Sequence, residues 1–338
     1  MSQRSMDLLY TFYGDDFTGS TDVLEQLATH GVPAVLFLSP PTDSQLRAFA
    51  GVRAIGIAGD SRSRSPEWMS ANLPQIFSAL AALGAPVLHY KVCSTFDSSP
   101  TVGSIGRAID IGIDTIHPRF VPIVVGAPHL RRFVHEGRLF AAAPDGEIHR
   151  IDRHPMRHHP VTPMREADLR RHLAKQTSVH IGLLDYQTMS SADPNRELQR
   201  QLLEGARAVL FDTVDRTTLH AAGELIWKEA QQQPLFSASS SGLTAALLSA
   251  WKQEGLLPAP DSHSAATAAE PLLVISGSCS VATERQIRWA LQHGYHGIRI
   301  DTARLANGAA ELHEAIRGAR ESLSAGKHTV LYTSLGVP

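Results

Sequence analysis

The sequence predicts an α/β protein: two α/β domains with mainly parallel sheets, the C-terminal one incomplete. Three observations lead there. Short apolar runs of strand length alternate along the chain with longer stretches of helical period, the pattern of βαβ units. The 338 residues suffice for two domains at roughly 150 residues each. With 43% hydrophobic and 19% charged residues, the composition is that of a folded chain able to bury its own cores.

Strand-like runs fall at residues 8–13, 34–38, 52–57, 86–92, 121–125, 179–184, 208–211, 272–275, 297–300 and 330–332. Helical period is clearest at 21–29, 104–113, 163–175, 217–231, 242–251, 281–293 and 308–324. Thr162 followed by Pro163 reads as an N-cap with proline in the first turn, and Gly31 and Gly294 sit where helices should stop. Residues 129–160 carry paired apolar runs around Pro144-Asp145-Gly146, which predicts a hairpin insertion bearing basic and histidine side chains. The aperiodic stretch LLPAPDSHSAATAAE at 256–270 reads as a linker. The expected division is therefore a domain over 1–254, a linker over 255–270 and a partial domain over 271–338.

A net charge of −2 gives no global field for nucleic acid or an anionic membrane. Only Cys93 and Cys279 occur, too few for a disulfide framework or a cysteine zinc module, which suggests a reducing compartment. The start lacks a signal-peptide pattern, and no run nears the roughly 18 apolar residues of a membrane span. A cytoplasmic protein is expected, with oligomeric state open and a homo-oligomer compatible.

Polar segments follow several predicted strands, where ligands bind in parallel sheets. Gly14-Asp15-Asp16-Phe17-Thr18-Gly19-Ser20-Thr21-Asp22 offers adjacent carboxylates at a helix start, able to take a proton, hold a cation or simply cap the helix. A haloacid-dehalogenase style phosphatase would want two aspartates separated by one residue, which this pair is not. Asp60-Ser61-Arg62-Ser63-Arg64-Ser65 brings guanidinium forks matched to carboxylate or phosphate, or a solvated loop. The segment from Lys91 to Arg107, KVCSTFDSSPTVGSIGR, packs a lysine, hydroxyls and Asp97 ahead of a glycine-led helix. Cys93 lacks a local base and reads as packing rather than a nucleophile. His154, His158 and His159 lie among prolines without helical ligand spacing, so a histidine metalloenzyme is the weaker alternative and no metal ligands are assigned. The loops Ser239-Ser240-Ser241-Gly242 and Ser276-Gly277-Ser278-Cys279-Ser280 suit helix N-terminal anion binding or ordinary capping.

In this order, DDFTGSTD, SRSRS, KVCSTFDSSPTVGSIGRAID, DRHPMRHHPVTPMREADL and SGSCSVATERQI resemble the four-carbon acid sugar kinase family, from about residue 8 to the end. The resemblance implies phosphorylation, by ATP with Mg²⁺, of the terminal hydroxyl of threonate, erythronate or an oxo-tetronate. It implies a substrate domain and a nucleotide domain closing over a cleft. It carries the substrate site onto Asp16, Arg64, Ser94, Thr95, Phe96 and Asp97, and a nucleotide contact onto Ser278. Chemically, Arg64 suits the acid's carboxylate, and Asp16 or Asp97 can be the base. Mg²⁺ would bridge the phosphates.

Three departures stand out. Arg131-Arg132 replaces the family's glycine-arginine pair, and Ser239 stands where glycine is usual, which predicts a narrower approach for a ligand. The chain ends at LYTSLGVP, where the family continues for roughly 80 residues, against ~100 to 150 for a whole domain. An inactive sugar-acid-binding protein is therefore the alternative expectation, and the shortened second domain should expose apolar sheet surface.

Overall fold

The computed structural model describes residues 8–143, 146–257, 270–279 and 281–336. They divide into two compact units, Met1–Asp261 and Ser262–Pro338. Pro144 and Asp145 of the expected turn, most of the expected linker, and Ser280 lie outside the described residues.

The first unit runs β1 (Tyr10–Gly14), α1 (Phe17–Thr29), β2 (Ala34–Phe37), α2 (Asp43–Ala48), β3 (Ala54–Ala58), α3 (Pro66–Ala81), β4 (Val87–Lys91), α4 (Ile105–Ile116) and β5 (Val121–Val124). Three short strands follow, β6 (Arg132–His135), β7 (Arg138–Ala142) and β8 (Ile148–Arg150). Then come α5 (Leu169–Leu173), β9 (Ile181–Leu184), α6 (Tyr186–Met189), α7 (Pro194–Leu203), β10 (Ala208–Phe211), α8 (Arg216–Ala230), β11 (Leu235–Ser239) and α9 (Ser241–Gln253).

Five strands form a parallel sheet in the order β11-β4-β1-β3-β2, and β5-β10-β9 form a second parallel sheet. The two meet at a seam between β11 and β5. Pro122 of β5 has no N–H for a ladder, and serine hydroxyls substitute. Ser237 Oγ donates to the Pro122 carbonyl at 2.8 Å, and Val124 N donates to Ser239 Oγ at 2.8 Å. Ser239 is fully buried in this seam, so its hydroxyl does not narrow a ligand's approach as the sequence had suggested.

Side-chain alternation along β1 divides the core. Tyr10 and Phe12 pack with α1, α8 and α9, whereas Tyr13 joins Met69, Leu73, Phe77 and Ile109 from α3 and α4. Burial drives the His89 pKa down to about 3, against its bond to the Ser239 carbonyl, so the ring is neutral.

Sequence and structure differ at several elements. The helix expected over 163–175 shrinks to α5, capped by Asp168, whose carboxylate accepts from Arg170 N and Arg171 N. Thr162 caps no helix; its hydroxyl goes to Asp97 at 2.8 Å. Helix α3 was not anticipated because Pro74 interrupts its pattern, yet Met69, Leu73, Phe77 and Leu80 keep one buried face. The hairpin insertion is a three-stranded antiparallel sheet, β6-β7-β8.

The second unit holds β12 (Leu273–Ser276), α10 (Val281–Gln292), β13 (His296–Arg299), α11 (Thr302–Ala306), α12 (Ala310–Ser324) and β14 (Thr329–Tyr332). Its parallel sheet has the order β12-β14-β13, so the strand foreseen at 330–332 is the central one. Ile300, Ala315, Ala319 and Leu331 form a small core, while Leu273, Ile275 and Trp289 are exposed. No helix among the described residues is long and apolar enough to cross a membrane.

Helices α8 and α9 approach so closely at Gly223 that an added Cβ would lie 2.0 Å from the Ala246 carbonyl oxygen. Backbone cannot yield as a side chain can. Gly223→Ala should lower the unfolding free energy in urea by about 1–3 kcal/mol with an unchanged m-value; an equal or higher midpoint would contradict this packing.

Candidate active site at the carboxyl rim of the sheet

Parallel strands deliver their exit loops to one edge. The loops after β1, β3 and β4 are joined there by backbone hydrogen bonds: Gly59 N to Gly14 O at 3.0 Å, Asp15 N to Lys91 O at 2.9 Å, and Arg62 N to Asp15 O at 3.0 Å. Gly103, at φ +58°, completes the arrangement; a Cβ there would lie 2.4 Å from the Arg62 carbonyl oxygen.

Arg62 is the cation that meets the carboxylates. Its Nη1 donates to Asp16 Oδ2 at 2.5 Å, and its Nη2 to both oxygens of Asp97 at 2.9 and 3.0 Å. Arg64, chosen from sequence for the carboxylate grip, instead pairs with Asp60 through Nε at 3.0 Å and lies over the Trp68 ring at 5.2 Å, with 45% of its side chain exposed. Ser61–Ser63 form a 3-10 turn, which sends Arg62 inward and leaves Arg64 beyond it in extended backbone.

Asp97 is buried and saturated. Besides Arg62 it accepts from Thr95 Oγ1 at 2.6 Å and Thr162 Oγ1 at 2.8 Å. Burial opposes its charge, but the Arg62 guanidinium and these hydroxyls hold its pKa below the usual carboxylate range. Both oxygens are committed to bonds that favour the anion, which makes Asp97 an anchor and a poor proton acceptor. Asp16 is also engaged: it caps α1, its Oδ1 accepting from Gly19 N at 2.5 Å. Ser94 is half-buried. Phe96 has φ +56°, an uncommon conformation for a bulky residue, and its ring is fully buried in the core. The buried ring leaves its backbone as the part able to face a ligand.

Sequence reasoning passed over Asp15 for its neighbour. Asp15 is 4% exposed, and its Oδ1 is buried without a hydrogen-bond partner. Burial first, and repulsion from Asp16 second, push its pKa up to about 7 against the pull of Arg62 and Lys91. Lys91, also buried, reaches Asp22 Oδ2 at 3.4 Å, and Asp22 in turn accepts from the Ser241 hydroxyl. Nothing in the spacing of Asp15-Asp16, which form the bend between β1 and α1, separates the two.

This rim lies within a region that matches the family described as "Sugar-binding N-terminal domain" over residues 10–247, and residues 273–337 match "Nucleotide-binding C-terminal domain". The chain belongs to the four-carbon acid sugar kinase family. It is 48% identical over 333 residues to a 3-oxo-isoapionate kinase of Paraburkholderia graminis, covering 97% of this chain and 70% of that protein. A 3-oxo-tetronate kinase of Pectobacterium atrosepticum is 32% identical over 297 residues, covering 86% of this chain and 65% of the relative. Among solved structures, Haemophilus influenzae protein HI1011 superposes with a TM-score of 0.69 at 25% identity, over 97% of this chain and 75% of that one.

The remaining segments of this four-carbon acid sugar kinase family member divide between scaffold and site. His159 Nδ1 bonds Thr162, itself on Asp97, while the His154 ring meets Ala142 O and Met156 N. His159 thus serves the loop course around Asp97, and His154 caps the turn that follows it. Buried His172 bonds Ser98 Oγ at 2.8 Å and braces the same loop; burial, then Lys175, lower its pKa to about 4. Ser278 follows β12 and is exposed.

A carboxyl whose folded pKa of about 7 exceeds its unfolded value near 3.8 favours folding while protonated, and that advantage is lost as pH rises through 7. Asp15→Asn should thus match wild type in stability near pH 4 and exceed it near pH 8, by up to about 4 kcal/mol. Urea unfolding at the two pH values checks this; equal stability at both would mean that Asp15 ionises freely.

Proposed function

We propose that the protein phosphorylates the terminal hydroxyl of a small sugar acid of the tetronate type, using ATP. The family and its kinase relatives support the reaction class. The observation that carries the site assignment is Asp15: a buried carboxyl with an unpartnered oxygen, close enough to neutrality in pKa to accept a proton from an attacking hydroxyl.

On this reading the roles divide by what each carboxylate has free. Asp15 takes the hydroxyl proton as the oxygen attacks the γ-phosphorus. Asp16 and Asp97, whose oxygens hold Arg62, fix that guanidinium at the rim, where it offsets negative charge. Ser94 and Thr95 border the substrate, and Phe96 contributes backbone. Phosphoryl transfer asks for positioning and electrostatics more than for covalent help, which such a set provides. ATP with Mg²⁺ on its phosphates supplies the transferred group. Residues 271–338 would hold it, with Ser278 between β12 and α10 in the strand-loop-helix position that receives phosphates. The loop has room: a Cβ built on Gly277 meets nothing within 4 Å. A cytoplasmic setting suits ATP use and the free thiols of Cys93 and Cys279.

The protein incubated with ATP, Mg²⁺ and 3-oxo-tetronate, D-threonate or D-erythronate should release ADP and give an acid one phosphoryl group heavier by mass spectrometry. No product across the panel would sink the kinase reading. Wild-type kcat/KM should rise about tenfold per pH unit below pH 7, and Asp15→Asn should lower kcat by about 10²- to 10⁴-fold and flatten that limb. An intact rate and limb in Asp15→Asn would remove Asp15 from the role of base.

A further inference from the structure

With Arg62 committed to Asp16 and Asp97, and Arg64 to Asp60, neither guanidinium singled out so far is free for an incoming carboxylate. Arg132, the first residue of β6, differs from both. It forms no ion pair among the described residues. Its Nη1 donates to three backbone carbonyls, Leu130 at 3.2 Å, Arg131 at 3.3 Å and Ala142 at 3.2 Å. Its Nε is buried with no acceptor, and Nη2 has none among the described residues either. One corner of the guanidinium is thus pinned by the hairpin, while the Nε–Nη2 edge, the side-on fork that takes a carboxylate through two parallel bonds, is left unsatisfied.

Its position is fixed by backbone. Ala127 N bonds Arg132 O at 2.9 Å and Arg132 N bonds Ala127 O at 3.2 Å, which ties Arg132 to the residues leaving the carboxyl end of β5. The Cys93 thiol, in the loop after β4, is an electrostatic neighbour of Arg132 and of Arg62 alike, and Thr95 Oγ1 links it at 3.0 Å to the group around Asp97. Burial, the larger influence, lowers the Arg132 pKa although Cys93 opposes it, as for a cation lacking a full counter-charge.

We propose that Arg132 binds the carboxylate of the sugar acid through its Nε–Nη2 edge and so selects acids over neutral polyols. The inference rests on the sugar-acid reading above and names the residue that enforces it. Arg132 replaces Arg64 in the carboxylate grip, and it leaves Arg62 to hold Asp16 and Asp97.

Calorimetric titration of the 338-residue protein with D-threonate, D-erythronate and 3-oxo-tetronate, and with uncharged threitol, tests it. The wild type should bind at least one acid more tightly than threitol. Arg132→Gln should weaken that acid about 100-fold, leave threitol unchanged and erase the preference. Arg132→Lys, which keeps the charge and loses the fork, should fall between them. A folded Arg132→Gln, with a wild-type melting temperature and undiminished affinity for the acid, overturns the proposal. So does an equal loss for acid and threitol, the mark of a structural role. Should Arg132→Gln fail to fold, undiminished acid affinity in Arg132→Lys overturns it. A wild type that binds no acid defeats the sugar-acid reading itself, and is distinct from failure of Arg132.

Discussion

The rim is organised by one guanidinium. Arg62 spans Asp16 on the loop after β1 and Asp97 on the loop after β4, while its own backbone belongs to the turn after β3. Three carboxyl groups gathered at one edge would repel one another and resist burial. A planar cation with donors on both sides bridges two of those carboxylates and fixes the spacing of three loops at once. The backbone bonds from Asp15 to Lys91 and Arg62 hold the same junction from behind.

Within this arrangement the carboxylates are chemically unequal, and the difference comes from hydrogen bonding and burial. Asp97 is given four bonds and kept ionised; Asp15 is given burial and a like-charged neighbour and kept near neutrality. An unpartnered buried oxygen detracts from stability, and its place where three loops meet at the rim fits the general trade between stability and activity. Arg132 repeats that logic with the opposite sign: a cation whose buried Nε the hairpin leaves without an acceptor.

Much of the fold was legible in the chain. The alternation of apolar runs located the strands from β1 to β5, β9, β10 and the three of the second unit, because short apolar runs bounded by turn residues mark strands. Legibility failed where a local signal pointed elsewhere than the tertiary context. Pro74 reads as a break, yet α3 continues through it on the strength of one buried face. Thr162-Pro163 reads as a helix start, but the hydroxyl is drawn to Asp97. Strand β11 is rich in serine because its hydroxyls serve the seam with β5.

By itself the sequence determined the α/β class, the polar loops after the strands, and the family whose motifs they carry, since these follow from periodicity and from residue types at fixed local spacing. Which aspartate of the pair keeps an unpartnered oxygen, and which carboxylates Arg62 and Arg64 are spent on, was decided by the tertiary structure. Arg62 and Arg64 are two residues apart and chemically identical; a single 3-10 turn sends one to the carboxylates and the other to Asp60. Charge compensation depends on what lies across the rim, at sequence separations of 35 and 46 residues for Arg62, and no local pattern encodes that distance.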